Sequence, residues 1–326
     1  ENQNIEFDTD IYSKHLLINE KNYMQEKSCS FNIKSKLTTN TFIIEKSNAI
    51  IEDVILKVKG EINKNGFLDL KIISENQNLN SIINHTPKHI SKIYNPFIIT
   101  GGLNGTAHIN GVFEKNKNPH FNMTFSILNG GFNFKSNPFS VSDISCNGKI
   151  NNGEGNQFAT TKINFFNFYG NTKKGNIEGE FTINNLDDML LDANLNSDWD
   201  LEELNHYFQD SPFLNMTGSC AIKTNYKGKL AFDNKFKKYF ISGNHKSKIS
   251  NLEMNFNYLN SNLDFNILMQ ELDINNNAIK INESNIAIGS SKINYSGIIR
   301  NFIEYIIGES KQIIIKWRCY FSFNTF

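Results

Sequence analysis

The chain has 326 residues, with 33 Lys+Arg balanced by 33 Asp+Glu, 39% hydrophobic residues and 12% aromatic ones. That balance leaves no basic face for nucleic acid and supplies enough apolar surface to fold, which sets aside a disordered polyelectrolyte and an electrostatic nucleic-acid binder. Roughly one residue in six is Asn, spread among apolar positions, and this reads as AT-rich codon usage rather than a prion-like tract.

In chain order, period-two alternation predicts strands over Phe31–Leu37 and Leu68–Ile72. A brief 3.6-residue pattern follows, with Leu79, Ile82 and Ile83 on one side of Pro87 and Ile90 and Ile93 on the other, predicting short helices. Phe121, Met123, Phe125 and Ile127 then alternate with Asn122, Thr124 and Ser126, while Ile177, Gly179, Phe181 and Ile183 alternate with Glu178, Glu180 and Thr182. Both are half-buried strands by pattern. A further strand fits Leu191–Leu195, and Leu201, Leu204 and Phe208 space a second short helix. Strands at Cys220–Tyr226, Leu252–Tyr258 and Leu263–Ile267 complete the β series, before helical spacing at Ile299, Phe302, Ile303 and Ile306. Clusters of Asn, Gly, Asp and Lys between these segments supply turns. The expected class is therefore mainly β and antiparallel, with a few short inserted helices.

An internal repeat is superimposed on this alternation. VKGEI, IEGEF and YSGII place glycines at Gly60, Gly179 and Gly297, 119 and 118 residues apart. NLNSII from Asn78 and DLEELN from Asp200 open the two helices 122 residues apart. Gly101 and Gly218 each begin a Gly-x9-Gly strand after them. IEKSNAIIEDVILKVKG from Ile44 matches INESNIAIGSSKINYSG from Ile281 in length and apolar spacing. Residues 1–326 are thus expected to be one repeat-built β region, with approximate repeats at 44–160, 161–280 and an incomplete 281–326.

In order and spacing these segments resemble the AsmA-like proteins, in particular the AsmA-like C-terminal region of Bacteroidota. The likeness runs through the short helix, GGLNGTAHING from Gly101, the strand FNMTFSILNGGF to Phe132 and VSDISCNGKINNG. It continues through FYG at Gly170, GNIEGEFTINNL to Leu186 and DANLNSDWDLEELNHYF to Phe208. The resemblance implies repeated antiparallel sheets curled into an elongated open groove, a β-taco, as in the relatives TamB and YhdP. It implies a periplasmic location, anchorage to the inner membrane through an N-terminal helix outside this sequence, and phospholipid carried toward the outer membrane. The groove-lining candidates are Phe121, Met123, Phe125, Ile127, Ile177, Phe181, Ile183, Leu191 and Leu195. The physics is compatible: exposing a sixteen-carbon chain to water costs about 12 kcal/mol, so a carrier must shelter it. On that reading Phe125→Asp with Phe181→Asp removes lipid binding from a folded chain. The alternative is a structural or adhesive β-repeat protein with a closed core and no lipid; a sugar-binding β-domain is disfavoured by only 2 Trp.

No residue pattern points to catalysis, cofactor or metal. His85 and His89 are four apart, but Pro87 interrupts their helix and no Cys or carboxylate completes a ligand set. GGLNG and NNGEGN lack the Lys and flanking elements of a phosphate loop, and no nucleophile elbow occurs. Asp200 before LEEL reads as an N-cap with Glu203 completing a capping box. The cysteines at 29, 146, 220 and 319 form no CxxC pair and read mainly as small core residues, with a Cys146–Cys220 bridge open in an oxidising compartment. The longest apolar runs, Ile50–Val58 and Ile313–Trp317, are far short of the roughly 20 residues that cross a bilayer. The chain opens at Glu1 with no leader and closes in a strand-like run, as an excerpt of a longer protein would.

Overall fold

The computed structural model describes residues 5–13, 17–18, 21–22, 28–85, 97–114, 118–135, 140–205, 213–230, 243–258, 264–288, 291–301, 312 and 314–322. Strands dominate, as the alternation predicts. They are β1 (Ile5–Ser13), β2 (Leu17–Ile18), β3 (Lys21–Asn22), β4 (Cys29–Leu37), β5 (Thr41–Ile51), β6 (Val54–Asn63), β7 (Phe67–Asn78), β8 (Phe97–Val112), β9 (His120–Phe134) and β10 (Ser140–Asn151). The series continues with β11 (Lys162–Asn171), β12 (Asn176–Asn184), β13 (Leu190–Asp200), β14 (Phe213–Lys229), β15 (Asn244–Tyr258), β16 (Asp264–Asn275), β17 (Ala278–Ile288), β18 (Ser291–Arg300) and β19 (Ile314–Ser322). Seventeen strands join one antiparallel sheet in which β1 lies on β4 and successive strands pair along the chain, while β2 and β3 form a separate ladder. The chain divides into two compact units: residues 1–136, 142–167 and 183–188, and residues 137–141, 168–182 and 189–326.

The long strands are interrupted by bulges, several of which hold an Asn at positive φ. Among the described residues, eleven other than Gly have positive φ and nine of these are Asn, a backbone state that Asn tolerates better than most side chains. Asn76, Asn129, Asn215 and Asn251 each fall where a ladder skips register. The Asn excess therefore has a backbone use beyond codon bias.

Two hairpin sets share one register. Ser35 pairs with Ile44, Ile44 with Gly60 and Ser47 with Val58; 237 residues later Leu272 pairs with Ile281, Ile281 with Gly297 and Ser284 with Tyr295. Both sets carry the same two-residue bulge, Glu45-Lys46 opposite Lys59 and Asn282-Glu283 opposite Ser296. Ser47 and Ser284, each just past its bulge, are both buried.

Among the described residues, two of the expected helical segments are seen. Helix α1 (Leu79–Asn84) forms, capped by the Asn78 side chain, which accepts from the amides of Asn80 and Ser81. The second is one 3-10 turn, Leu201–Leu204, capped by Asp200 accepting from the Glu202 amide. Glu203 does not fold back to close a capping box, because its carboxylate is spent on the Thr172–Lys174 turn. The helix expected from Ile299 is corrected at its start: Ile299 pairs with Ile279 and Ile315 inside β18, a position where three adjacent strands align Ile residues. Phe302, Ile303 and Ile306 lie outside the described residues, as do Ile90, Ile93, Phe208 and Leu263.

Candidate functional site

In the first unit the pairing registers stack the alternating residues into rows across β5 to β9. One row runs Ser47, Val58, Ile72, Ala107 and Met123, the next Ala49, Leu56, Ser74, Gly105 and Phe125, and a third Ile44, Gly60, Leu70, Ile109 and Phe121. Because alternate residues of a strand share a face, these rows make one apolar surface. The opposite face is mixed, carrying Lys57 bridged to Glu75 at 2.5 Å and His108 against Asp69 at 2.5 Å beside the exposed Ile50 and Ile55.

Among the described residues, α1 covers one end of this apolar surface. There Leu79 of α1 is buried with Leu103 and Phe125, and Ile82, Ile83, Met123 and Ile127 pack partly against them. Away from α1, Leu56, Val58, Leu70 and Ile72 on the interior strands β6 and β7 are only half-buried. A sheet packed about 10 Å above such positions would bury them. Ser74, buried on this face, has a hydroxyl with no hydrogen-bond partner among the described residues.

Polar contacts hold α1 in place. Asp53, in the turn between β5 and β6, accepts from the Ser81 hydroxyl and lies 3.2 Å from His85 Nε2. The Ser81 hydrogen bond, then His85, hold the Asp53 carboxyl below the usual carboxylate range. The second unit repeats the arrangement with other chemistry. Lys174, in the turn between β11 and β12, lies 3.1 Å from Asp200 and 2.6 Å from Glu202, and these carboxylates, Glu202 first, raise its pKa. Glu203 accepts from the amides of Lys173 and Lys174.

The apolar face of the second unit is more closed. Leu201 is buried with Met216, Cys220, Phe256, Ile267, Met269, Leu272, Ile279 and Ile281, and Trp199 and Leu204 pack partly against them. The register continues the apolar ladder outward, from Leu272 to Ile281 and from Ile279 to Ile299.

The nine sequence candidates thus have different surroundings. Phe121, Met123 and Ile127 are half-buried on the apolar face of β9. Phe125, at 8% exposure, is enclosed, its ring edge-on to Phe165 at 5.6 Å between centroids. Gly148 lies so close to the Phe125 ring that a Cβ there would sit 2.1 Å from it. Ile177, Phe181 and Ile183 are half-buried along β12, with Phe181 edge-on to Phe168. Leu191 and Leu195 are half-buried on β13, opposite Gly228 and Thr224. Sequence reasoning did not single out Val58, Leu70 and Ile72 as lining, although the alternation in VILKVKG and LDLKI carried the signal.

Cys29, Cys146 and Cys220 are free, buried thiols, so the Cys146–Cys220 bridge is not made; each is packed into the sheet of its own unit. Burial pushes both the Cys146 and Cys220 thiols up to about 11. Among the described residues no group of His, Cys, Asp or Glu could hold a metal ion, and no helix is long and apolar enough to cross a membrane. Compared with family models, curated proteins and solved structures, the chain shows no match.

Proposed function

We propose that this chain is a non-enzymatic, AsmA-like β-repeat protein that binds phospholipid acyl chains on its apolar sheet face and serves lipid transport between the inner and outer membranes from the periplasm. One observation carries the reading: aliphatic side chains on the interior strands β6 and β7 are half-buried and in register on one face, with no charged residue in their rows, whereas the reverse face carries the Lys57–Glu75 pair. Leaving such a surface to water is unfavourable at roughly 25 cal/mol per Å², and an apolar ligand relieves that cost. The shared register 237 residues apart supports a duplicated module.

The experiment is mass spectrometry of organic extracts from the natively purified chain beside Val58→Asp. Phospholipid in the native chain and its loss from a variant with an unchanged unfolding midpoint supports the reading. Empty extracts, with no site for an apolar dye, overturn it. The closed-core structural protein is the second reading, favoured by the buried cluster around Leu201, Phe256 and Ile279; it requires that no lipid be recovered.

A further inference from the structure

We propose that α1 is the stop that sets how long an acyl chain the first unit accepts, and that Asp53 is the residue positioning it. The inference rests on the lipid-binding reading above and assigns that site its length selectivity. A chain lying along the strands has a defined run. From Ile62 to Leu56 on β6 is six residues, or roughly 20 Å at strand rise. That compares with about 15 Å for half the hydrocarbon thickness of a bilayer, the depth spanned by one lipid tail. At the row of Leu56, Ser74 and Phe125 the face meets α1, whose Leu79 is buried against Phe125 and against Leu103 one row further on. The run therefore ends on the side chains of α1, chiefly hydrophobic ones.

A stop works only if it is fixed. At six residues α1 is too short to be stable alone, and its position depends on Leu79 and on the polar contacts to Asp53. Ser81 in the first turn and His85 at the C-cap, four residues apart and so on one side of the helix, meet a carboxylate on the turn of the preceding hairpin. The second unit ties its 3-10 turn to the hairpin turn before it through Lys174 and Glu203, with Leu201 as the buried residue. Unrelated side chains thus perform the same tethering twice, which fits selection for the placement of the helix and not for one particular contact.

The test uses the native chain, a fluorescent apolar dye, and displacement by capric, lauric, myristic, palmitic, stearic and arachidic acids. Affinity in the native chain is expected to rise up to about fourfold per added CH₂ and then stop rising at one member of the series. Asp53→Ala frees α1 and moves that break to a longer acid by at least one step, with affinity for the short acids unchanged. Ile83→Trp enlarges the stop and moves the break to a shorter acid. Equal breaks in all three proteins, each with a native unfolding transition, overturn the proposal, as does a uniform loss of affinity at every length in Asp53→Ala. No displacement by any acid in the native chain overturns the lipid-binding reading itself, and with it the stop.

Discussion

Gly60 holds its backbone at φ +140° directly against the carbonyl of Asp69, so that a Cβ there would lie 2.0 Å from that oxygen. Gly179 repeats the contact at φ +143°, 2.2 Å from the Asn194 carbonyl. In both the obstacle is backbone within a ladder, which cannot move aside without breaking the sheet. Gly60→Ala and Gly179→Ala are each expected to cost upwards of about 2 kcal/mol in urea unfolding, through strain at a special φ and a clash together. Gly105→Ala is the control: the near atom is the terminal methyl of Met123, at 2.6 Å, and a flexible side chain can yield. If the three substitutions cost the same, the close approach is not what conserves the backbone there.

Charge placed on the apolar face should separate covered from open positions. Phe125 is enclosed by α1 and β11, so Phe125→Asp buries an unpaired carboxylate and unfolds the first unit. This changes the outcome expected under the groove reading, in which Phe125→Asp with Phe181→Asp leaves a folded chain. Leu70→Asp and Phe121→Asp, on the open row, should leave the circular dichroism and unfolding midpoint within about 1 kcal/mol of native. Cooperative loss of structure in Leu70→Asp would instead mean that the face is packed.

The contrast between Phe121 and Phe125 marks where sequence reading succeeds and stops. Alternation placed both on the same face of β9, and the register agrees. It could not say that one is covered, because coverage depends on α1, which arrives from elsewhere in the chain. The spaced glycines Gly60 and Gly179 were legible in the sequence, and both hold positive φ against a carbonyl of the neighbouring strand. Ile299 was misread because Ile at period-3.6 spacing and Ile at a crowded ladder position look alike over a few residues. Asp53 gave no signal: its partners Ser81 and His85 are 28 and 32 residues away.

Cys146 and Cys220 should resist alkylation at neutral pH while the chain is folded and react at once when it is unfolded. Burial, joined at Cys220 by the negative charge of Asp198, raises both thiols from the ordinary value near 9.0 to about 11. A raised folded pKa means the native state keeps the proton that the unfolded state has lost. The associated stability is fully present below about pH 9 and is lost as pH rises toward about 11, at about 1.4 kcal/mol per pH unit per thiol. Urea midpoints followed across that window should fall less steeply in Cys146→Ala than in the native chain. Parallel slopes would show that the thiol ionises equally easily in both states.

Glu203 supports the second tether beside Lys174, through three acceptor contacts. It takes the Thr172 hydroxyl at 3.3 Å, the Lys173 amide at 3.3 Å and the Lys174 amide. Two of these are backbone amides at a turn, where each lost charge-assisted hydrogen bond can be replaced in part by water. Glu203→Ala is therefore expected to cost only about 1 kcal/mol globally while speeding hydrogen exchange at the Lys173 and Lys174 amides well beyond the global change. Glu203→Gln, which keeps one acceptor oxygen, should fall between the two. If Leu201 packs independently of the tether, exchange in β14 stays native in Glu203→Ala. Faster exchange at Met216 and Cys220, which lie against Leu201, would show that the tether and not the buried leucine seats the turn.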